Sequence, residues 1–280
     1  MPELPEVETI CRILREGQPG IPSLLGKIIA GVQVLWPRTL ANCSPDEFRE
    51  RLIGQSIQAI ARRGKFLLFQ LSPDTLMVHL RMSGDLLVET VSTPLALHHR
   101  LTIDFDREEH DQDGLRLSFN DARKFGRVWL SADPGEVLGS LGPEPLDPSF
   151  TAQDLYQRLQ TSHRQLKPLL LDQSFLAGLG NIYTDEALHL AHLHPLIPSD
   201  ELTLSQAERL WRRIRQVLEE GIRRQGASID WVYRGGDFQN YFRVYQRTGE
   251  PCPECGTPIQ RLVVGQRGTH ICPNCQVLQR

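Results

Sequence analysis

Four cysteines crowd into the last 29 residues of this 280-residue chain, as Cys252-x2-Cys255 and Cys272-x2-Cys275. Such paired thiols have the spacing of a four-cysteine zinc site, and tetrahedral thiolate ligation leaves no open position for a substrate. The expected metal is therefore one structural Zn2+ rather than a catalytic ion. The metal would hold the intervening segment together. Thr257–Val264 and Gly268–Ile271 alternate enough to form a β-hairpin between the two pairs. His270 is a further possible ligand, but four cysteines already complete the set. Cys11 and Cys43 are isolated and read as packed thiols.

Ahead of the hairpin the chain changes character twice. Val7, Ile10, Cys11 and Leu14 recur at helical spacing, predicting an amphipathic helix after Pro5 that ends near Gly17. Eight β-type runs follow, at 27–36, 55–62, 66–71, 75–82, 85–90, 100–105, 115–119 and 127–130. A capping box at Ser44-Pro45-Asp46-Glu47 marks one short helix among them. So many short strands predict a β-sandwich with the first helix packed against it. The Gly- and Pro-rich stretch 135–150 reads as a linker. Helix signals dominate beyond it, with caps expected at Thr151, at Asn181 and in Ser205-x-x-Glu208, the last opening a long helix to about Arg224. The fold class is α+β, divided as 1–134 (sandwich), 135–150 (linker), 151–237 (helical) and 238–280 (zinc hairpin). There is no internal repeat.

Charge restricts function less than its placement does. The formal charge is −3, yet from Ala207 onward there are 12 Lys/Arg and 7 Asp/Glu, while Asp104 to Asp113 holds six acids against one base. Phosphate binding depends on the local field, so a nucleic-acid partner stays open. No apolar run reaches the ~18 residues a membrane helix needs. The acidic start carries no secretion signal, so a cytoplasmic address is expected and no membrane partner.

The opening Met1-Pro2-Glu3-Leu4-Pro5-Glu6 carries the chemistry. Removal of Met1 would leave Pro2 as a secondary amine beside a carboxylate, a nucleophile that forms an iminium without metal or cofactor. Glu3 and Glu6 are placed to move protons. Taken alone, the two prolines do no more than start a helix. Other candidates are equally bland singly. Gly180-Asn181 enters a helix whose free N–H groups suit a phosphate, though an Asn there is ordinarily a cap. Lys167 adds charge nearby, or is simply exposed. Met82 and Phe125, with Arg123, sit at strand ends as apolar wedges for a base stack, or as core residues. Arg267 at the hairpin tip suits phosphate, or is a solvated arginine. His189, His192 and His194 have no acidic or cysteine partner at matching spacing and read as structural or phosphate-facing.

Together these pieces resemble the formamidopyrimidine-DNA glycosylase family from end to end. The residues carrying the resemblance are Pro-Glu-Leu-Pro-Glu-Val-Glu at 2–8, Arg-Arg-Gly-Lys at 62–65, His-Leu-Arg-Met-Ser-Gly at 79–84, Asp-Ala-Arg-Lys-Phe-Gly at 121–126, Leu-Gly-Pro-Glu-Pro-Leu at 141–146, Gly-Asn-Ile-Tyr at 180–183 and the four cysteines. The resemblance implies a helix–two-turn–helix unit between sandwich and finger, and a monomer acting on damaged double-stranded DNA. It implies a bifunctional glycosylase/lyase for oxidised purines, 8-oxoguanine and formamidopyrimidines. By motif match Pro2 attacks the sugar, Glu3 moves protons, and Lys65 and Arg267 serve strand cleavage. Met82, Arg123 and Phe125 fill the vacated stack and read the opposite base, while His98 and Asn181 contact DNA; Lys167 is a further DNA-binding candidate on its charge alone. Lys124 stands where many relatives have a second arginine. The acidic stretch 106–113 reads as a lengthened loop, and 227–237 as shorter than the relatives' lesion loop. The rivals are an endonuclease VIII-type enzyme for oxidised pyrimidines, whose relatives usually open Pro-Glu-Gly-Pro, and a non-catalytic zinc-finger DNA-binding protein. A metallohydrolase lacks an open metal position.

Overall fold

The computed structural model describes residues 1–107, 113–228 and 235–278. The chain divides into two compact units, the first containing Met1–Pro2 and Glu6–Gly139, the second Glu3–Pro5, Ser140–Ser228 and Gly235–Arg280.

Helix α1 (Leu4–Glu16), which belongs to the first unit from Glu6 onward, buries the expected stripe Val7, Ile10, Cys11 and Leu14 in the main apolar core. Then come β1 (Ile29–Val34), α2 (Pro45–Leu52), β2 (Ala59–Arg63), β3 (Phe66–Gln70), β4 (Thr75–His79), β5 (Gly84–Thr90), β6 (His99–Phe105), β7 (Leu115–Asp121), β8 (Arg127–Ser131) and the short α3 (Gly135–Leu138). All eight strand runs form strands. They make two antiparallel four-stranded sheets, ordered β1-β6-β7-β5 and β2-β3-β4-β8. Leu76, Val78, Leu86, Leu101, Ile103, Leu117, Phe119 and Val128 line the space between them. Each such side chain, once buried, contributes about 1.5–3 kcal/mol. Cross-strand pairing adds a bidentate ion pair, with Arg116 on β7 donating to both carboxylate oxygens of Asp104 on β6 at 2.6 and 3.1 Å. Ser44 caps α2 by accepting the Glu47 N–H, while the Glu47 carboxylate reaches forward to Arg51.

The second unit contains α4 (Ala152–Gln160), α5 (Leu166–Leu170), α6 (Asn181–Leu190), α7 (Leu204–Arg223) and the hairpin β9 (Gln260–Val264) to β10 (Arg267–Ile271). Thr151 caps α4 in a capping box with Asp154. The expected Ser205/Glu208 box is displaced two residues. Thr203 has the extended backbone of a cap and exchanges bonds with Gln206, whereas Glu208 pairs with Arg212 one turn on. Gly221 on α7 admits Tyr183 of α6, because a Cβ there would lie 2.5 Å from the ring. The expected linker 135–150 is not a free tether. Gly142 N–H donates to Gln173 O at 2.9 Å and Arg215 donates to Pro145 O at 2.7 Å, so its second half is fastened to the helical unit. At the hairpin tip Gly265 and Gln266 both have positive φ, the two-residue turn that matches strand twist.

Phe119 fills the end of the sandwich so tightly that a Cβ at Gly126 would lie 2.2 Å from its ring. Gly126→Ala is expected to cost about 1–3 kcal/mol of stability as an overpacking change, with Phe119→Leu in the same chain restoring part of it. A denaturation midpoint for Gly126→Ala equal to that of the unaltered chain would refute this packing.

Candidate active site and zinc finger

The first four N–H groups of a helix lack intrahelical partners and favour negative charge. At α6 that position is filled from within the protein. Glu3 is buried, and its two carboxylate oxygens accept the N–H groups of Ile182 at 3.0 Å and Tyr183 at 3.4 Å. Leu4 N–H donates to Gly178 O at 3.1 Å and holds the same segment. A Cβ at Gly180 would lie 2.2 Å from the Glu3 carboxyl carbon, so glycine is required for this approach. Two expectations change. These N–H groups are not open to a phosphate, and Asn181 is the first helical residue rather than the cap. Its Nδ2 donates instead to Gly268 O at 3.0 Å, while its Oδ1 is buried with no partner among the described residues. Pro2, one residue before Glu3, is also buried.

Lys167 requires a larger correction. It is fully buried, and Nζ donates to Asp185 Oδ1 at 2.6 Å, Thr269 Oγ1 at 2.8 Å and Gly268 O at 3.2 Å. All three ammonium donors are thereby directed inward, so a direct DNA contact does not fit. Burial lowers its pKa below the usual lysine value, with Asp185 pulling the other way. The second Asp185 oxygen accepts the His270 N–H at 2.9 Å. Lys167 and Asn181 therefore both fix the Gly268 carbonyl, next to Arg267, which is exposed at the start of β10. Glu186, the next residue of α6, is also buried and accepts the N–H groups of Arg243, Val244 and Tyr245 at 2.8–3.0 Å. Neither carboxylate was singled out in the sequence, because a helical Asp-Glu pair ordinarily faces water.

In the first unit, Lys65 follows Gly64 (φ 56°) in the β2–β3 turn and is buried. Met82 and Phe125 are not core residues. They are 41% and 49% exposed, on the β4–β5 and β7–β8 loops. The Arg123 guanidinium lies 5.0 Å from the Phe125 ring centre, and Lys124 Nζ lies 4.0 Å from that of Trp36. His98 is exposed, with its Nδ1 3.4 Å from Arg100. The expectations about loops 106–113 and 227–237 fall largely on positions 108–112 and 229–234, which lie outside the described residues.

The four finger cysteines converge as expected, every Sγ within 4.8 Å of the others. The separations Cys252–Cys275 3.9 Å, Cys255–Cys272 3.4 Å and Cys255–Cys275 3.5 Å bracket the edge of about 3.8 Å for a tetrahedron with ~2.3 Å Zn–S bonds. Hydrogen bonds from Thr257 pull the Cys255 thiol down to about 6, while burial and neighbouring thiols raise Cys275. Crowded thiolates need a cation among them, and these residues fit one structural zinc. His270 faces Asp185 instead of the metal. The fold also supplies partners for the histidines of α6 and its C-terminus: His189 Nε2 lies 3.4 Å from Cys252 Sγ and His192 Nε2 2.7 Å from Glu254. No described helix is long and apolar enough to cross a membrane.

Known proteins share this arrangement along the whole chain. Residues 1–128 match the formamidopyrimidine-DNA glycosylase N-terminal domain, 141–232 the H2TH domain of that family, and 249–277 the zinc finger found in FPG and IleRS. A formamidopyrimidine-DNA glycosylase of Chloroflexus aurantiacus is 48% identical over 285 aligned positions, covering 99% of this chain and 98% of that protein. One of Protochlamydia amoebophila is 45% identical, with 99% of each covered. The Lactococcus lactis FPG in complex with Fapy-dG-containing DNA superposes with a TM-score of 0.88 at 36% identity, covering 99% of this chain and 100% of that one. The chain belongs to the formamidopyrimidine-DNA glycosylase family.

Proposed function

We propose that this enzyme is a bifunctional DNA glycosylase/lyase that removes oxidised purines, 8-oxoguanine and formamidopyrimidines, from duplex DNA. The observation that carries the reading is the Glu3 carboxylate bound to the α6 N-terminus, one peptide bond from a buried proline. In the unprocessed chain the Pro2 nitrogen is an amide; hydrolysis of the Met1–Pro2 bond frees it as an amine.

The anomeric carbon of a stacked nucleotide is inaccessible, so the damaged nucleotide must leave the helix, at a cost of about a few kcal/mol. Met82 and Phe125 fill the vacated space, and Arg123 addresses the opposite base. The Pro2 nitrogen attacks C1′; the glycosidic bond breaks and the base departs with its electron pair. Glu3 takes the proton that the Pro2 nitrogen loses on attack and returns it to the ring oxygen as that oxygen leaves C1′, which opens the sugar and gives an iminium. Its carboxylate then faces a cation, to the benefit of both charges. Removal of a C2′ proton breaks the C3′–O bond, a second elimination breaks C5′–O, and water hydrolyses the iminium to regenerate the amine. Lys65 moves a proton and contacts phosphate in these eliminations, and Arg267 holds a backbone phosphate. Zinc in the Cys252, Cys255, Cys272 and Cys275 site supplies no chemistry but holds the hairpin that presents Arg267.

Borohydride reduction is expected to link the mature chain to a duplex carrying a single 8-oxoguanine, but not a chain whose Pro2 stays acylated by an uncleaved extension. Undiminished trapping of the acylated form would refute the mechanism. Trapping on an oxidised-pyrimidine duplex alone would transfer the reading to the endonuclease VIII type.

Lys65→Ala is expected to slow strand cleavage by about 100-fold with an unaltered denaturation midpoint. Strand cleavage at the original rate would remove Lys65 from the mechanism.

Metal analysis is expected to find one zinc per chain, and its chelation to weaken DNA binding. Carefully prepared protein without zinc would overturn the finger assignment.

A further inference from the structure

We infer that Asp121 is a positioning residue that assembles Met82, Arg123 and Phe125 into one wedge, through a buried carboxylate bonded beside all three. Asp121 ends β7 and is 1% exposed. One carboxylate oxygen accepts the Ser83 hydroxyl and, at 3.1 Å, the N–H of Arg123 itself. The other accepts the Gly126 N–H at 2.7 Å. Ser83 follows Met82 and Gly126 follows Phe125, so one side chain holds a group beside Met82, the backbone of Arg123 and the backbone beside Phe125, and it joins the β4–β5 and β7–β8 loops, each of which crosses from one sheet to the other. Ser83 Oγ also receives the Arg123 N–H at 3.2 Å, closing the link between the loops.

All of these donors are neutral. A buried carboxylate that loses them is strongly penalised, so the loops settle where they satisfy it. The surroundings leave little alternative. The Asp121 N–H donates to His98 O at 2.9 Å and its carbonyl accepts from Arg100 Nε at 2.7 Å, which fixes the backbone beneath the carboxylate. Gly84, its cross-strand partner, has no room for a Cβ, which would lie 2.4 Å from Leu80 O. Next to Met82, Arg81 adopts a left-handed φ of 55° and donates its N–H to His79 Nδ1 at 3.0 Å. This inference rests on the glycosylase reading above, because a wedge matters only where a base must leave the stack.

The test compares two substrates in one duplex sequence, an intact 8-oxoguanine pair and a preformed abasic site. The second has no base to extrude and depends less on an aligned wedge. Asp121→Asn keeps the shape but turns an amide donor toward donors. A misplaced reacting arrangement can cost about 100-fold, and that loss is expected for 8-oxoguanine excision, with abasic-site cleavage at least about tenfold less affected. Discrimination between opposite bases, the property that depends on Arg123, is expected to narrow. Ser83→Ala, which removes one bond and leaves the carboxylate in place, is expected to show the same imbalance to a smaller degree, and it serves if Asp121→Asn does not fold. Equal losses on both substrates, or no loss on either, would overturn the proposal. Failure of the unaltered enzyme to excise oxidised purines would instead overturn the functional reading.

Discussion

The carboxylate of Glu3 on the first turn of α6 is the interaction on which the arrangement depends. It meets two N–H groups that no residue of the helix can satisfy, and it is buried, so neither partner has water as a substitute. Its position follows from an absence of atoms, since any side chain at Gly180 would occupy the carboxyl group's place. Because Pro2 is one peptide bond away, the placement of Glu3 also restrains the residue proposed as the nucleophile. In the proposed reaction the carboxyl group is thus oriented before substrate arrives, with no reorganisation required at the moment of reaction.

The two units contribute different kinds of rigidity. In the first, an apolar core between two sheets holds strand ends from which exposed apolar side chains project. Met82 and Phe125 give up burial they would otherwise have gained, and the sandwich behind them carries the stability. In the second, the stiffness is polar: Lys167, Asp185 and Thr269 form a buried network that joins α5, α6 and β10. A buried pair of this kind adds little net stability but is costly to break from one side. Its effect is to fix where Arg267 emerges.

Periodicity and turn chemistry make most of the architecture legible in the sequence. All eight strand runs, the stripe of α1 and the metal-binding hairpin follow from local pattern, and local pattern persists in the fold. The misreadings share one physical origin. Lys167 looked like an exposed cation, Asn181 like a cap, and the helix N–H groups like an open anion site. Each was displaced by a partner distant in sequence: Asp185 for the lysine, Gly268 for the asparagine, Glu3 for the helix. The slip from Ser205 to Thr203 is different, since two capping boxes overlap in Thr203–Glu208 and only the backbone turn selects between them. The burial of Asp121, Asp185 and Glu186 left no trace, because burial of an acid depends on donors that no single stretch of sequence reveals.

Helix α6 is ten residues long, yet it is addressed from three directions. Glu3 meets its first turn, β10 engages Asp185, and the 243–245 segment converges on Glu186. One residue added or lost between Asn181 and Asp185 would rotate the later attachments by about 100° relative to the first. The three anchorages cannot then be satisfied together. Insertions and deletions are accordingly forbidden in this short rod, and because every residue from Ile182 to His189 is buried, it has no solvent-facing side on which substitutions would go unfelt.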